Sequence, residues 1–179
     1  VKKASTVSLR KQESAMSDMQ SHYKPLRWLW VALIIVVLDF VSKQWISGHF
    51  VLGERLAVLP FFNLTLAHNT GAAFSFLHDA GGWQRWAFTG LAVVVSVALA
   101  VWLSRLDASQ KLLAIALTLV MAGAVGNMID RMMLGYVVDF VQIYWNDWYF
   151  PAFNVADSAI SVGAVFLIVD AFMHPETDK

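Results

Sequence analysis

Four apolar runs of about 20 residues each decide what this chain can fold into. They read Leu26 to Ile46, Trp83 to Leu103, Leu112 to Ile129 and Val155 to Met173. A helix rises about 1.5 Å per residue, so each run covers roughly 30 Å, the depth of a bilayer's hydrocarbon core. The chain is 58% hydrophobic, against about 45–50% for an ordinary soluble domain, and the excess falls within these runs. The expected class is therefore a membrane protein, mainly α, with four transmembrane helices. Eight Trp and four Tyr, many near the ends of the runs, suit an interfacial aromatic belt.

The polar segments between the runs complete the organisation. Residues 1–24 are polar, lack an apolar stripe and are expected to form a disordered cytoplasmic tail. The run after them is too long for a signal peptide and has no small-residue cleavage site, so a retained span is expected. Residues 25–174 read as one four-span domain, with 175–179 a short cytoplasmic tail. Between the first two spans, Leu56 to Leu59 reads as a strand ended by Pro60. Phe62 to His68 alternates as a half-exposed strand does, and Asn69-Thr70-Gly71 reads as a turn. Ala72 to Leu77 reads as a short apolar helix lying on the membrane surface. In the last loop, residues 135–141 look strand-like and residues 145–151 form an aromatic turn.

Lys and Arg set the orientation, because cytoplasmic loops carry more of them. The tail, the start of the first span and the 104–111 loop hold Lys2, Lys3, Arg10, Lys11, Lys24, Arg27, Arg105 and Lys111. The other two loops and their edges hold Arg55, Arg85 and Arg131, with Lys43 near the boundary. Both termini are thus expected in the cytoplasm, with residues 48–82 and 130–154 facing outward.

Ionisable groups at membrane depth are costly and point to function. They gather at the outer ends of the third and fourth spans: Gly126-Asn127-Met128-Ile129-Asp130-Arg131, then Val138-Asp139-Phe140, then Phe153-Asn154-Val155-Ala156-Asp157. Two Asp brought together can share one proton and activate a water. Asp157, at a helix start where free N–H groups favour a carboxylate, is one candidate. Its partner is Asp139, in an apolar segment without a basic neighbour, or Asp130, beside Arg131. Asn127 and Asn154 each precede an Asp by three residues, a spacing that caps a helix or orients a carboxylate. Asp39 and Lys43 lie four apart on one helix face, either as a structural ion pair or as a contact to substrate. Ser42 and Lys43 diverge by about 100° around a helix, which disfavours a Ser–Lys dyad. Asp170, about 20 Å from Asp157 along the helix axis, reads as a solvated end charge. Asn69 is either a turn residue or a polar contact for a bound peptide.

The composition closes off other chemistry. Without Cys there is no thiolate nucleophile or disulfide, and the five His never form an H-E-x-x-H pattern. No metal and no other cofactor is expected. A net charge of zero without a basic cluster argues against a nucleic-acid partner.

Five ordered blocks carry a family resemblance: Leu38-Asp39 to Lys43, Asn69 to Ser75, Gly126-Asn127 to Asp130-Arg131, Val138-Asp139-Phe140, and Phe153-Asn154 to Ala156-Asp157. From Leu26 to Met173 the chain resembles the bacterial lipoprotein signal peptidases, also called signal peptidase II. The resemblance implies an aspartic endopeptidase of the bacterial inner membrane with its site at the periplasmic face. Its substrates would be diacylglyceryl-modified prolipoproteins, met within membrane lipid and cut just before the lipidated Cys; a monomer is expected. Asp139 and Asp157 match the family's catalytic pair. Asp39, Lys43, Asn69, Asn127, Asp130, Arg131 and Asn154 match its supporting or substrate-binding positions. Residues 48–82 match a small periplasmic β-cradle with a surface helix, in which Phe74 and Phe76 would form a flap over the site.

Two other classes fit a four-span chain. A transporter or channel would spread ionisable groups through the membrane depth, whereas here they cluster at one face. A non-catalytic scaffold leaves the repeated Asn-x-x-Asp pattern unexplained.

Overall fold

A computed structural model describes residues 25–71 and 82–174. The terminal tails, the surface helix over 72–77 and the flap residues Phe74 and Phe76 lie outside the described residues. A 3-10 turn at Pro25–Trp28 leads into helix α1 (Leu29–His49). Strands β1 (Arg55–Leu59) and β2 (Phe62–Asn69) follow, then α2 (Trp83–Ser104) and α3 (Lys111–Met133). Strands β3 (Val137–Trp145) and β4 (Trp148–Tyr149) precede the last helix, α4 (Val155–Met173). All four α-helices are long and apolar enough to cross a membrane.

Helix α3 is the post against which the other three pack. Of its apolar stretch 56% is buried, against 22% in α1, 6% in α2 and 17% in α4. Lipid offers no hydrophobic drive between helices, so close packing depends on small residues. A methyl group added at Gly123 would run into the backbone carbonyl of Ala156 and meet Ile160 Cγ1 at 2.6 Å. One added at Gly126 would stand 2.7 Å from Asp39 Oδ2. On α4, Gly163 answers with the same intimacy toward Val120 and the Ala116 carbonyl. The opposite faces, with Leu33, Ile34 and Val41 on α1 and Val94 and Val97 on α2, are exposed apolar surface. Gly123→Ala is therefore expected to lower the melting temperature in detergent by about 5 °C, from roughly 1–3 kcal/mol of overpacking. A thermal melt of the two proteins checks it.

The helix ends differ from the sequence reading in one consequential place. Helix α3 runs four residues past Ile129, to Met133, and stops at Gly135 with φ 88°. The Leu134 and Gly135 N–H groups donate to the Asp130 and Arg131 carbonyls. Such a left-handed stop needs glycine. Asp130 and Arg131 thus lie in the last turns of the helix rather than in a loop.

The four strands form one antiparallel sheet in the order β1-β2-β3-β4. One face, with Leu66, Val138 and Phe140, packs on Ile46 at the end of α1. The other face carries Asp139. Strand β2 pairs Leu64 with Val141 but Ala67 with Asp139, so it holds one extra residue between them. Side chains alternate across a sheet, and a one-residue slip moves each to the other face. The bulge therefore brings Ala67 and Asn69 onto the face of Asp139 and sends His68 to the opposite one. There His68 stacks on Tyr136 with ring centroids 3.9 Å apart. The aromatic segment 145–151 is a hairpin tip, turning at Asn146 (φ 51°) between Trp145 and Trp148.

Candidate active site

The end of α1, the start of α2, the end of α3 and the start of α4 meet beneath this sheet. Helix α4 opens with a capping box: the Asn154 side chain accepts from the Asp157 N–H at 2.9 Å, and the Asn154 N–H donates to Asp157 Oδ2 at 3.2 Å. With its oxygen committed to the cap, Asn154 must point its amide NH2 inward. That group donates to Asp139 Oδ1 at 2.7 Å, to Asn127 Oδ1 at 3.2 Å and to the Val138 carbonyl at 3.3 Å. Asn154 is fully buried.

Asn69 repeats the logic from the sheet. Its oxygen accepts the Gly71 N–H at 3.0 Å, and its NH2 donates to Asp139 Oδ2 at 3.1 Å. The turn reading of Asn69 is thus realised, and its NH2 takes a carboxylate of the chain itself as partner. Asn127 donates to Asp157 Oδ1 at 2.7 Å. It lies mid-helix and reaches across to α4 rather than capping α3. Each oxygen of Asp139 and of Asp157 therefore has a neutral N–H donor.

The two nearby cations are engaged elsewhere. Lys43, fully buried, bonds Asp39 Oδ2 at 2.6 Å, Asp130 Oδ2 at 2.9 Å and Asn127 Oδ1 at 3.1 Å. The sequence pairs Asp130 with Arg131 only by adjacency; neighbouring helical side chains diverge, and Asp130 instead takes Lys43 and the Val138 N–H. Asp39 reaches on to the Ala156 N–H at 2.8 Å. Arg131 donates to the Gly71 carbonyl at 3.0 Å and the Asn127 carbonyl at 3.4 Å, with its guanidinium 5.2 Å above the Phe88 ring.

Asp139 is 3% exposed. Burial, then the charge of Asp157, pushes its carboxyl from the ordinary 3.8 up to about 7, against the opposing pull of Asn69, Asn154 and the Lys43 charge. A carboxyl raised in the fold favours the folded state while both states are protonated. That stability is present below about 3.8 and is lost as the pH rises to about 7.

A groove of about 750 Å³ runs down from this cluster. Asn69, Asn127, Arg131 and Asp157 stand at its polar end. Its walls are apolar, from Phe88, Leu91 and Val95 on α2, Val120 and Ala124 on α3, and Ile160 and Val162 on α4. Phe150 to Phe153 close the top. Phe88 carried no signal in the sequence, being one apolar residue in an unbroken run. Among the described residues no three His, Cys, Asp or Glu side chains converge as metal ligands.

A family model described as signal peptidase (SPase) II matches residues 31–173. The chain is 52% identical over 162 residues to the lipoprotein signal peptidase of Shewanella amazonensis, covering 89% of this chain and 96% of the relative. It is 53% identical over 150 residues to that of Yersinia pseudotuberculosis, covering 84% and 89%. A solved structure described as a bacterial membrane enzyme superposes with a TM-score of 0.76 at 30% identity, covering 86% of this chain and 92% of that one.

Proposed function

The chain belongs to the signal peptidase II family, and from that premise we propose that Asp139 and Asp157 form its catalytic pair. The protein is a multi-pass membrane peptidase that removes signal peptides from prolipoproteins. The observation that carries the residue assignment is the set of neutral amide donors on both carboxylates, with Lys43 and Arg131 held off them. A cation bonded to either Asp would favour two ionised groups; amides leave room for one shared proton.

The resting pair holds one proton, which burial favours on the Asp139 side, and Asp157 is the proton acceptor of the pair. A water between them attacks the scissile carbonyl carbon and yields its proton to Asp157. Asp139 passes its own proton to the carbonyl oxygen, giving a neutral tetrahedral diol. On collapse Asp157 protonates the leaving amine and a diol hydroxyl returns its proton to Asp139. The C–N bond breaks, both carboxyls regain their starting state, and the pair titrates as a unit.

The groove suits a signal peptide's apolar segment and the acyl chains of a diacylglyceryl-Cys, with the scissile bond just before that Cys at the polar end. Arg131 and Asn69 are placed to meet peptide groups there. The excess of Lys and Arg in the tail and the 104–111 loop supports cytoplasmic termini and a periplasmic site in the inner membrane. We take the working unit as a monomer.

The test is cleavage of a diacylglyceryl-Cys signal peptide by purified protein in detergent, read by product mass. Scission just before the lipidated Cys is the expected result. An intact substrate, or a cut elsewhere, would remove the proposed specificity. Its kcat/KM should also decline about tenfold per pH unit above about 7, as Asp139 loses its proton. A rate that stays flat to pH 9 would contradict a protonated Asp139.

A further inference from the structure

Lys43 has more partners than an ion pair requires. It joins two carboxylates and also bonds the side-chain oxygen of Asn127. That oxygen has a second donor in Asn154 Nδ2. An amide's two ends look alike in shape but not in bonding: the oxygen accepts and the nitrogen donates. Two donors on one end leave a single favourable orientation, with Nδ2 toward Asp157 Oδ1 at 2.7 Å. Turning Asn127 over would set its NH2 against an ammonium and another NH2, and its oxygen against a carboxylate.

We propose that Lys43 is a positioning residue for the cleavage reaction, acting through Asn127 to keep a hydrogen-bond donor on Asp157. The ion triad of Asp39, Lys43 and Asp130 is anchored on α1 and α3, and Asp39 also holds the Ala156 N–H in the first turn of α4. The Lys43 ammonium is thereby fixed relative to the helix that carries Asp157. The inference rests on the reading that Asp157 takes the proton from the attacking water. The charged groups around it are Asp139 on β3, Asp39 and Lys43 on α1, and Asp130 and Arg131 on α3. Arg131 is a through-space partner of Asp157, but its hydrogen bonds go to the backbone carbonyls of Asn127 and Gly71. Lys43 makes no direct bond to either member of the pair among the described contacts. Lys43 pulls on Asp139 through space, and its bonded route to Asp157 runs through Asn127.

The experiment is a pH profile of kcat/KM on the lipidated peptide for wild type, Lys43→Met, Asn127→Ala and the double variant, with melting temperatures beside it. A donor on a carboxylate favours its ionised form. Losing that donor should move the acidic limb up by about one pH unit in Lys43→Met, and by as much or more in Asn127→Ala. Adding Lys43→Met to Asn127→Ala should move the limb no further, although the melt falls again. Equal limbs in wild type and Lys43→Met, with only the melt lowered, would overturn the proposal and leave Lys43 a structural residue. So would a limb shift that persists undiminished in the Asn127→Ala background. Should Lys43→Met not fold, Asp39→Asn/Lys43→Met/Asp130→Asn takes its place, since it leaves no charge buried at the triad; the same limb shift is expected. Asp157→Asn distinguishes the two levels. If it is inactive while the Lys43 limb stays put, only the positioning role fails; if it remains active, the catalytic pair itself fails.

Discussion

Asp139→Asn and Asp157→Asn should each yield a folded protein whose kcat/KM has fallen at least about 10³-fold, within the range that acid–base groups contribute. Asn keeps the size of Asp but cannot take a proton from water or pass one to the carbonyl. Asp130→Asn should split the other way. It removes one of the two carboxylates on a fully buried Lys43. Breaking a buried ion pair costs about 3 kcal/mol, a drop of about 6–12 °C in melting temperature for a chain of this size. Below that lowered melt, cleavage by Asp130→Asn should stay within about tenfold of wild type, because Asp130 bonds Lys43 and the Val138 N–H rather than either member of the pair. Cleavage assays with melts on the three variants decide it. An inactive, well-folded Asp130→Asn beside an active Asp139→Asn would transfer the partner role to Asp130.

The choice between Asp130 and Asp139 shows what the sequence carries and what it withholds. Four apolar runs gave four helices, because a span's length and composition are local properties. The alternation of Phe62 to His68 gave β2 for the same reason. Adjacency suggested Arg131 as the cation for Asp130. The helix turns about 100° between them, and the actual cation is Lys43, 87 positions earlier on another helix. Nothing local announces such a pairing. The bulge in β2 is similar: it adds one residue to a register that exists only once β2 meets β3, and it decides whether Asn69 or His68 shares a face with Asp139. The Asn-x-x-Asp spacing was legible twice, yet its two copies do different things. Asn154 caps the helix of its own Asp157, whereas Asn127 ignores Asp130 and serves Asp157 on a neighbouring helix.

Asn154 can be divided by substitution, since its oxygen and its nitrogen serve separate ends. The oxygen caps α4 and the NH2 reaches Asp139, Asn127 and Val138. Asn154→Ala removes both functions. Losing the cap costs about 1 kcal/mol, and unpaired buried acceptors add about 1–3 kcal/mol. Asn154→Ser retains a cap, because a hydroxyl can accept the Asp157 N–H, but it is too short to hold three inward partners. The melting temperature of Asn154→Ser should therefore lie above that of Asn154→Ala by about 2–4 °C, the equivalent of about 1 kcal/mol. Their activities should not separate: both should lose about 10²-fold or more in kcat/KM, since each strips the donor from Asp139 Oδ1 and loosens the spacing of the pair. If instead activity recovers with stability in Asn154→Ser, the inward NH2 is dispensable and the cap alone holds the two carboxylates in place.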